Sequence, residues 1–493
     1  MGSRLFKISI VIFWVVMMAW FAHRELTATP TGSFGGEELL QDMGDEQGQE
    51  WFGVYLVGKN DKRFKIGFVV SESEKLNNGF LYTSKSWMRL KVQNETKTIR
   101  TESKILTDAD LQMISLNFVF SSDSIKFEVL GDVSGTDLKL LVKTAAGDTD
   151  KIIKLEKPPV LPDMIMKRAI AEGLEVGKIL EMPVFDPTTF AYATAKVKVA
   201  EKKEREDGNV FWLLTSSFMG VETQSWMDSN GRTISQRAAN IITLWETKQK
   251  AMGGGWTSKS FQQDIIDQAK VKISTPIKNP RKTKKVVLRL SGLDFGDFTI
   301  DGHRQQFDPA TNILTITKEN LDPSKTLLLP VIDQAFAPFL EATPMIQVND
   351  PVIGKTTRDI IGKQNDGQKA ARLIAEWVFE NLEKKPLVSI PSARDVLDIK
   401  RGDCNEHSSL YTALARVAKI PTKIVVGVVY QEGAFYYHAW NAVWLGQWVE
   451  IDPTFGQFPA DATHVRLLEG DLDKQIILLQ AIGKLNIEMI SAE

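Results

Sequence analysis

The 493-residue chain contains one cysteine, Cys404, and five histidines. A lone thiol cannot close an intramolecular disulfide, so no disulfide framework holds this fold. The sequence shows no metal-ligand spacing, no glycine-rich phosphate loop and no EF-hand pattern, and neither metal nor cofactor is expected. An excess of either charge is missing too. Against 62 Asp and Glu stand 60 Lys and Arg, a net −2, which is not the basic footprint of a nucleic-acid binder. The one dense basic run, "KNPRKTKK" (Lys278–Lys285), reads as a solvated loop where two domains join.

What is present begins with an ordinary globular composition, 43% hydrophobic and 25% charged. The length suggests about three domains. The N-terminus departs from this average. Ile8–Ala22, "ISIVIFWVVMMAWFA", is apolar apart from Ser9. Counted from Leu5, with Lys7 snorkelling, it reaches about 18 residues, enough to span a bilayer. No Ala-x-Ala site follows, which favours an uncleaved signal anchor over a cleaved peptide. Arg4 and Lys7 place the N-terminus in the cytoplasm. The expectation is a single-pass plasma (inner) membrane protein whose body is periplasmic or otherwise extracytoplasmic. Stray thiols are a liability in such a compartment, so a retained Cys404 asks for a use.

Residues 1–24 form this anchor and 25–50 a flexible acidic tether, rich in Gly and Thr and without apolar periodicity. From 51 to 255, short alternating runs such as "ISLNFVF" and "IKFEVL" predict a large antiparallel β-rich domain, with hairpins at "SGTD" (Ser134–Asp137) and Asn230-Gly231. A helix interrupts it at Asp163–Glu172. Another helix is expected at Ser258–Lys270. Strands at "KVVLRLSG", "DFTIDG" and "ILTITK" then suggest a small β-sandwich module over 256–342. From 343 to 493 the period turns helical before it mixes, the pattern of an α/β core. Asp350-Pro351 opens one helix. Gly367–Lys385 is amphipathic through Ala371, Ile374, Trp377, Val378 and Leu382, and Ser392–Ile399 is short. The fold class is α+β and multidomain.

Cys404 stands in "KRGDCNEHSSLYTALARVAKIP", at the start of a further helix. Asp403 and Glu406 have capping-box spacing, and Leu410, Ala413, Leu414, Val417 and Ala418 make the buried stripe. At the first helical position, the free N–H groups and the positive helix end favour a thiolate and suit an oxyanion. Asp403 and Glu406 oppose the thiolate, so a cationic partner is required. His407, three residues on, is one candidate. His438, in "FYYHAWNAVW", is the other. If "LGQ" (Leu445–Gln447) is a three-residue turn, Trp444 pairs with Trp448 and Asp452 falls opposite Trp440. His438 and Asp452 are then diagonal neighbours on one face. Cys, His and Asp so arranged have the roles of a thiol acyl-transfer site. With a protonated His438 beside it, the thiol is expected to ionise below its ordinary value of about 8.5. Trp440 and Trp444 are read as walls of the groove or as packing, and His464, in "DATHV", as cleft or structure.

Arg401–Pro453, with "RGDCNEHSSLYTALARVAKIPTKIVVG", "YYHAW" and "WVEIDPTFG", closely resembles the bacterial transglutaminase-like superfamily. There the pattern G-x-C-x-E, H-x-W, D-P-T carries the Cys, His and Asp of a papain-like site, and the likeness extends over about Pro344 to Leu467. It implies a papain-like transglutaminase-like core and selects Cys404, His438 and Asp452 as catalytic. Asp403, Glu406, His407 and Trp440 then support the site or line its groove. Ala442 departs from the glutamate common in relatives, at a position outside the three. The implied activity is a membrane-anchored acyltransferase or hydrolase acting on protein or peptide amides through a Cys-acyl intermediate. A peptidase or amidase of the same superfamily, or a non-catalytic envelope scaffold, is the alternative. No nucleic-acid partner is expected.

Overall fold

The computed structural model describes residues 48–493 apart from 58–61, 93–94, 123–124, 145–146, 162–163, 239–240, 254–269, 323–326, 386–391 and 471–475. The expected anchor, nearly all of the tether and all but the end of the Ser258–Lys270 helix lie outside these residues. Among the described residues no helix is long and apolar enough to cross a membrane. Gln49 and Glu50, read as tether, already belong to the first strand. Contacts divide the chain near residue 263 into two units.

The first unit is a fourteen-stranded antiparallel sheet. Strands consecutive in sequence pair throughout except Gly147–Lys154 and Ile179–Asp186, and the first (Gln49–Val57) also pairs with the last (Ile241–Glu246). The terminal strands are therefore Gly147–Lys154 and Ile179–Asp186, the latter bridged along its outer side by Val160. Period-two burial drives this arrangement: Met113, Leu116, Phe118 and Phe120 alternate inward along Met113–Ser122. Gly135 and Gly231 supply the positive φ of two hairpin turns. A helix interrupts the run of strands at Ile165–Ala171 and buries Ile165, Met166 and Ala169.

In the second unit Asp350 caps α1 (Pro351–Ile361), Asp366 caps α2 (Gly367–Asn381) and Ser392 caps α3 (Ala393–Ile399). Then follow α4 (Cys404–Val417), β1 (Thr422–Gln431), β2 (Ala434–Trp444), β3 (Trp448–Ile451) and β4 (His464–Glu469). β2 pairs with β1 and β3, and β1 with β4. Trp377 is only half-buried, while Ala370 and Ala375 complete the α2 face instead.

Two expectations need correction. Residues 256–342 do not form an independent sandwich. Gln305–Asp308, Ile313–Thr317 and Lys285–Ser291 make one sheet whose edge strand is Asn486–Ala492, from the end of the chain. Val271–Lys272 pairs with β2. "DFTIDG" is no strand; there the Thr299 N–H donates to the Leu467 carbonyl of β4. A sheet this small cannot bury its own face, so it shares strands and contacts with the α/β core.

The second correction concerns α4. It is buried from Cys404 to Arg416 on every side, not along one stripe, because it packs against β1 and β2 and against α1, α2 and α3. Leu410 and Leu414 contribute about 2 kcal/mol each to that burial. The buried polar residues fix its position. Arg416 donates to the carbonyls of Thr422 and Glu341. Asn441 of β2 donates to Ser408 O at 3.1 Å and Thr412 Oγ1 at 2.8 Å. These last bonds lock the helix carrying Cys404 to the strand carrying His438.

Candidate active site

Gly402 and Asp403 set the helix start. A Cβ on Gly402 would lie 2.3 Å from the Glu406 Cβ, so glycine is required before Asp-Cys. Asp403 accepts from the Asn405 N–H at 3.0 Å and Glu406 from the Asp403 N–H at 2.8 Å, which completes the capping box. Cys404 is the first helical residue and is 1% exposed.

The β2–β3 turn has the register that pairs Trp444 with Trp448 and Asn441 with Ile451, and β3 ends just before Asp452. Asp452 builds its own turn: Oδ1 accepts from the N–H groups of Thr454 at 2.7 Å and Phe455 at 3.0 Å. Its Oδ2 lies 2.7 Å from His438 Nε2. A carboxylate partner makes Nε2 the donor, so the His438 lone pair sits on Nδ1, which is buried and has no hydrogen-bond partner among the described residues. The His438 ring stacks on Phe455 at 4.8 Å and on Trp440 at 5.9 Å. The next peptide N–H, of Ala439, is hydrogen-bonded to the Cys404 sulfur.

The electrostatics differ from the expected thiolate–imidazolium pair. Burial pushes the Cys404 thiol well above its ordinary value, with Asp403, Glu406 and Asp452 adding to it, and the Ala439 N–H opposes them only in part. Burial also lowers the His438 pKa against the pull of Asp452. With the thiol raised and the imidazole lowered by burial, the two groups rest as neutral thiol and neutral imidazole. Burial likewise raises Asp403 well above the carboxylate range, helped by Glu406.

His407 spends Nδ1 on the Asp403 carbonyl at 2.6 Å, and burial lowers its pKa to about 4. Trp440 lines no groove: it is wholly buried, and its Nε1 donates to Glu450 at 2.8 Å. Trp444 is half-buried against Phe336 and Trp448. Arg281, inside the basic run read as solvated loop, binds Asp461 Oδ2 at 2.9 Å and covers the Phe455 ring. His464 Nε2 reaches Asp452 Oδ2 at 3.0 Å. Ligand-type atoms of His438, Asp452 and His464 lie within 4.8 Å of one another. Both short contacts are hydrogen bonds to one shared oxygen, an arrangement that uses the lone pairs a cation would need.

Residues 354–453 match the transglutaminase-like superfamily, and the chain carries a transglutaminase-like domain there. A 131-residue stretch is 30% identical to an uncharacterised protein of Haemophilus influenzae, covering 24% of this chain and 34% of that one. Over 163 residues it is 28% identical to an uncharacterised protein of Mycobacterium leprae, covering 29% of this chain and 57% of that one. The chain thus spans between a third and three-fifths of these relatives' lengths. Among solved structures, a provisionally assigned cysteine protease from Cytophaga hutchinsonii matches at a TM-score of 0.29 and 15% identity, covering 43% of this chain and 87% of that one. A β-barrel-like protein of unknown function from Brucella abortus matches at 0.30 and 13%, covering 40% and 94%. Neither score bears on the chemistry of the site.

Proposed function

We propose that the second unit is a thiol acyl-transfer enzyme acting on protein or peptide amides, with Cys404 as nucleophile, His438 as base and acid, and Asp452 orienting His438. The observation that carries this is the His438–Asp452 bond of 2.7 Å, which leaves the Nδ1 lone pair unused on a strand whose next N–H, of Ala439, is hydrogen-bonded to the Cys404 sulfur at a helix start. Because both partners rest neutral, His438 takes the thiol proton at Nδ1 as the sulfur attacks the carbonyl, rather than holding a preformed ion pair. The oxyanion that forms is stabilised by the positive N-terminal end of α4. Collapse of the tetrahedral adduct breaks the C–N bond, and the Nδ1 proton leaves with the amine. Water or a second amine, deprotonated by the same nitrogen, resolves the thioester and returns the thiol. Asp452 keeps the tautomer correct and balances the transient imidazolium. Attachment through Ile8–Ala22, with this body outside the cytoplasm, belongs to the same proposal; deletion of 1–24 should move the protein from the membrane to the soluble fraction.

The test offers the purified chain a glutamine-rich protein and a labelled primary amine. Label uptake dependent on Cys404 identifies transfer, and Cys404-dependent ammonia or fragments without label identify hydrolysis. Turnover that survives Cys404→Ala would refute Cys404 as the nucleophile, and no turnover with any amide substrate, together with a thiol inert to acyl-directed electrophiles, would refute the enzyme and favour a scaffold.

A further inference from the structure

Asp452 is held from two sides. Its Oδ2 is shared by His438 at 2.7 Å and His464 at 3.0 Å, and its Oδ1 is occupied by the Thr454 and Phe455 N–H groups. His464 lies beyond the segment that matches the family, which ends at residue 453. Its other nitrogen, Nδ1, faces Asp461, at 3.3 Å from Oδ1 and 3.3 Å from the carbonyl. Asp461 is itself fixed. Oδ1 accepts from the Thr463 N–H and hydroxyl, and Oδ2 from Arg281 and Gln457, each at 2.9 Å. A chain therefore runs from the partly exposed Arg281 inward through the buried Asp461, His464, Asp452 and His438, with cations and carboxylates alternating up to the proposed base.

We propose that His464 is a positioning residue for the Cys404 reaction, a cation between two carboxylates that aims Asp452 and restrains the basicity of His438. This rests on the acyl-transfer reading above. Both His464 nitrogens face acceptors, so only the doubly protonated ring satisfies them; a neutral ring would set a lone pair against an oxygen. The groups around it agree. Asp452 faces it from the end of β3 and Asp461 from its own segment. His438 and Trp440 face it from β2, with Phe455 beside them. Arg281, Arg304 and Lys318 act on it through Asp461, and Lys384 acts on Asp452. Burial works against the charge on His464, but Asp461 and Asp452 outweigh it and raise its pKa. A cation on the oxygen that receives the His438 proton weakens that oxygen's hold on an imidazolium. His438 is thus kept neutral and able to accept the thiol proton.

His464→Gln keeps one donor for Asp452 and removes the charge. The expected result is an unchanged KM, a kcat lower by about tenfold, and an acid limb of the kcat/KM profile moved up by about one pH unit. Imidazole NMR on histidine-labelled chains reads the same shift at His438 without any turnover. That separates failure of this proposal from failure of the enzymatic reading. A His438 titration unmoved in a folded His464→Gln chain would overturn the proposal. Where the variant does not fold, the wild-type His464 ring decides: nitrogen shifts of a doubly protonated ring at pH 7.5 support it, and those of a neutral ring overturn it.

Discussion

His407 converts burial into a number that a titration can check. Its ring is fully buried, Nδ1 donates to the Asp403 carbonyl at 2.6 Å, and burial is the leading cause that lowers its pKa from 6.5 to about 4. A histidine lowered in this way stays neutral in the fold, while the unfolded chain protonates first as pH falls. Its contribution is therefore complete above about 6.5, drains away between about 6.5 and about 4, and changes no further below that. At about 1.4 kcal/mol per unit, the loss is about 2 kcal/mol at pH 5 and about 3 kcal/mol at pH 4. His464 has the opposite sign. Its raised pKa stabilises the fold below the unfolded value and fades as pH rises through the folded one, so it adds little slope in this window. The perturbation is His407→Gln, which removes the titrating site and leaves His464, Asp452 and Asp403 in place. Urea unfolding of both full chains at pH 7.5, 5 and 4 gives the comparison. Cys404, the lone thiol and 1% exposed, reports unfolding of its own unit through reaction with a pyridyl disulfide, which proceeds in acid. The wild-type advantage over His407→Gln should shrink by about 3 kcal/mol from pH 7.5 to pH 4. Parallel pH dependence in the two chains, or a His407 resonance titrating near 6.5, would refute the assignment.

Four further outcomes are expected. Alkylation of Cys404 in the folded chain should be slow and still accelerating above pH 9, since burial raises the thiol above its ordinary value of about 8.5; a rate plateau by pH 7 would contradict the neutral resting pair. Asp452→Asn should keep the turn through its remaining oxygen yet lower kcat about a thousandfold, because an amide nitrogen facing Nε2 selects the wrong imidazole tautomer; steady-state kinetics read this directly. Gly402→Ala should cost roughly 1–3 kcal/mol in thermal or urea unfolding and depress activity with it, because the new Cβ meets Glu406 and disturbs the capping box. Prolonged chelation should leave the acyl-transfer rate unchanged, and loss of activity restored by a divalent cation would reopen the reading of His438, Asp452 and His464.

The helix start at Cys404 was legible in the chain because its signals are local. Asp403 and Glu406 cap the backbone beside them, and Gly402 is excluded from carrying a Cβ by the side chain of Glu406. The β2–β3 register was legible for the same reason: a three-residue turn and period-two side chains bring His438 and Asp452 to one face once Trp444 meets Trp448. Alternation likewise announced the antiparallel sheet of the first unit. What the chain could not show was anything decided by burial. Whether Cys404 rests as thiolate depends on how much water the surrounding elements remove, and α4 is covered on every side by segments far away in sequence. The stripe drawn on α4 fails for that reason, only the assembled interior decides that Trp440 packs, and the Arg281–Asp461 ion pair lay hidden in a run that is otherwise largely exposed. The four-stranded sheet of the second unit was equally hidden, because its edge strand comes from Asn486–Ala492, nearly two hundred residues past its partner. His464 and Asp461 show the same division: their spacing is local, but only the packing of β4 beside β1 brings His464 to Asp452. Backbone preference acts over a few residues and can be read there, whereas desolvation and charge pairing belong to the assembled interior.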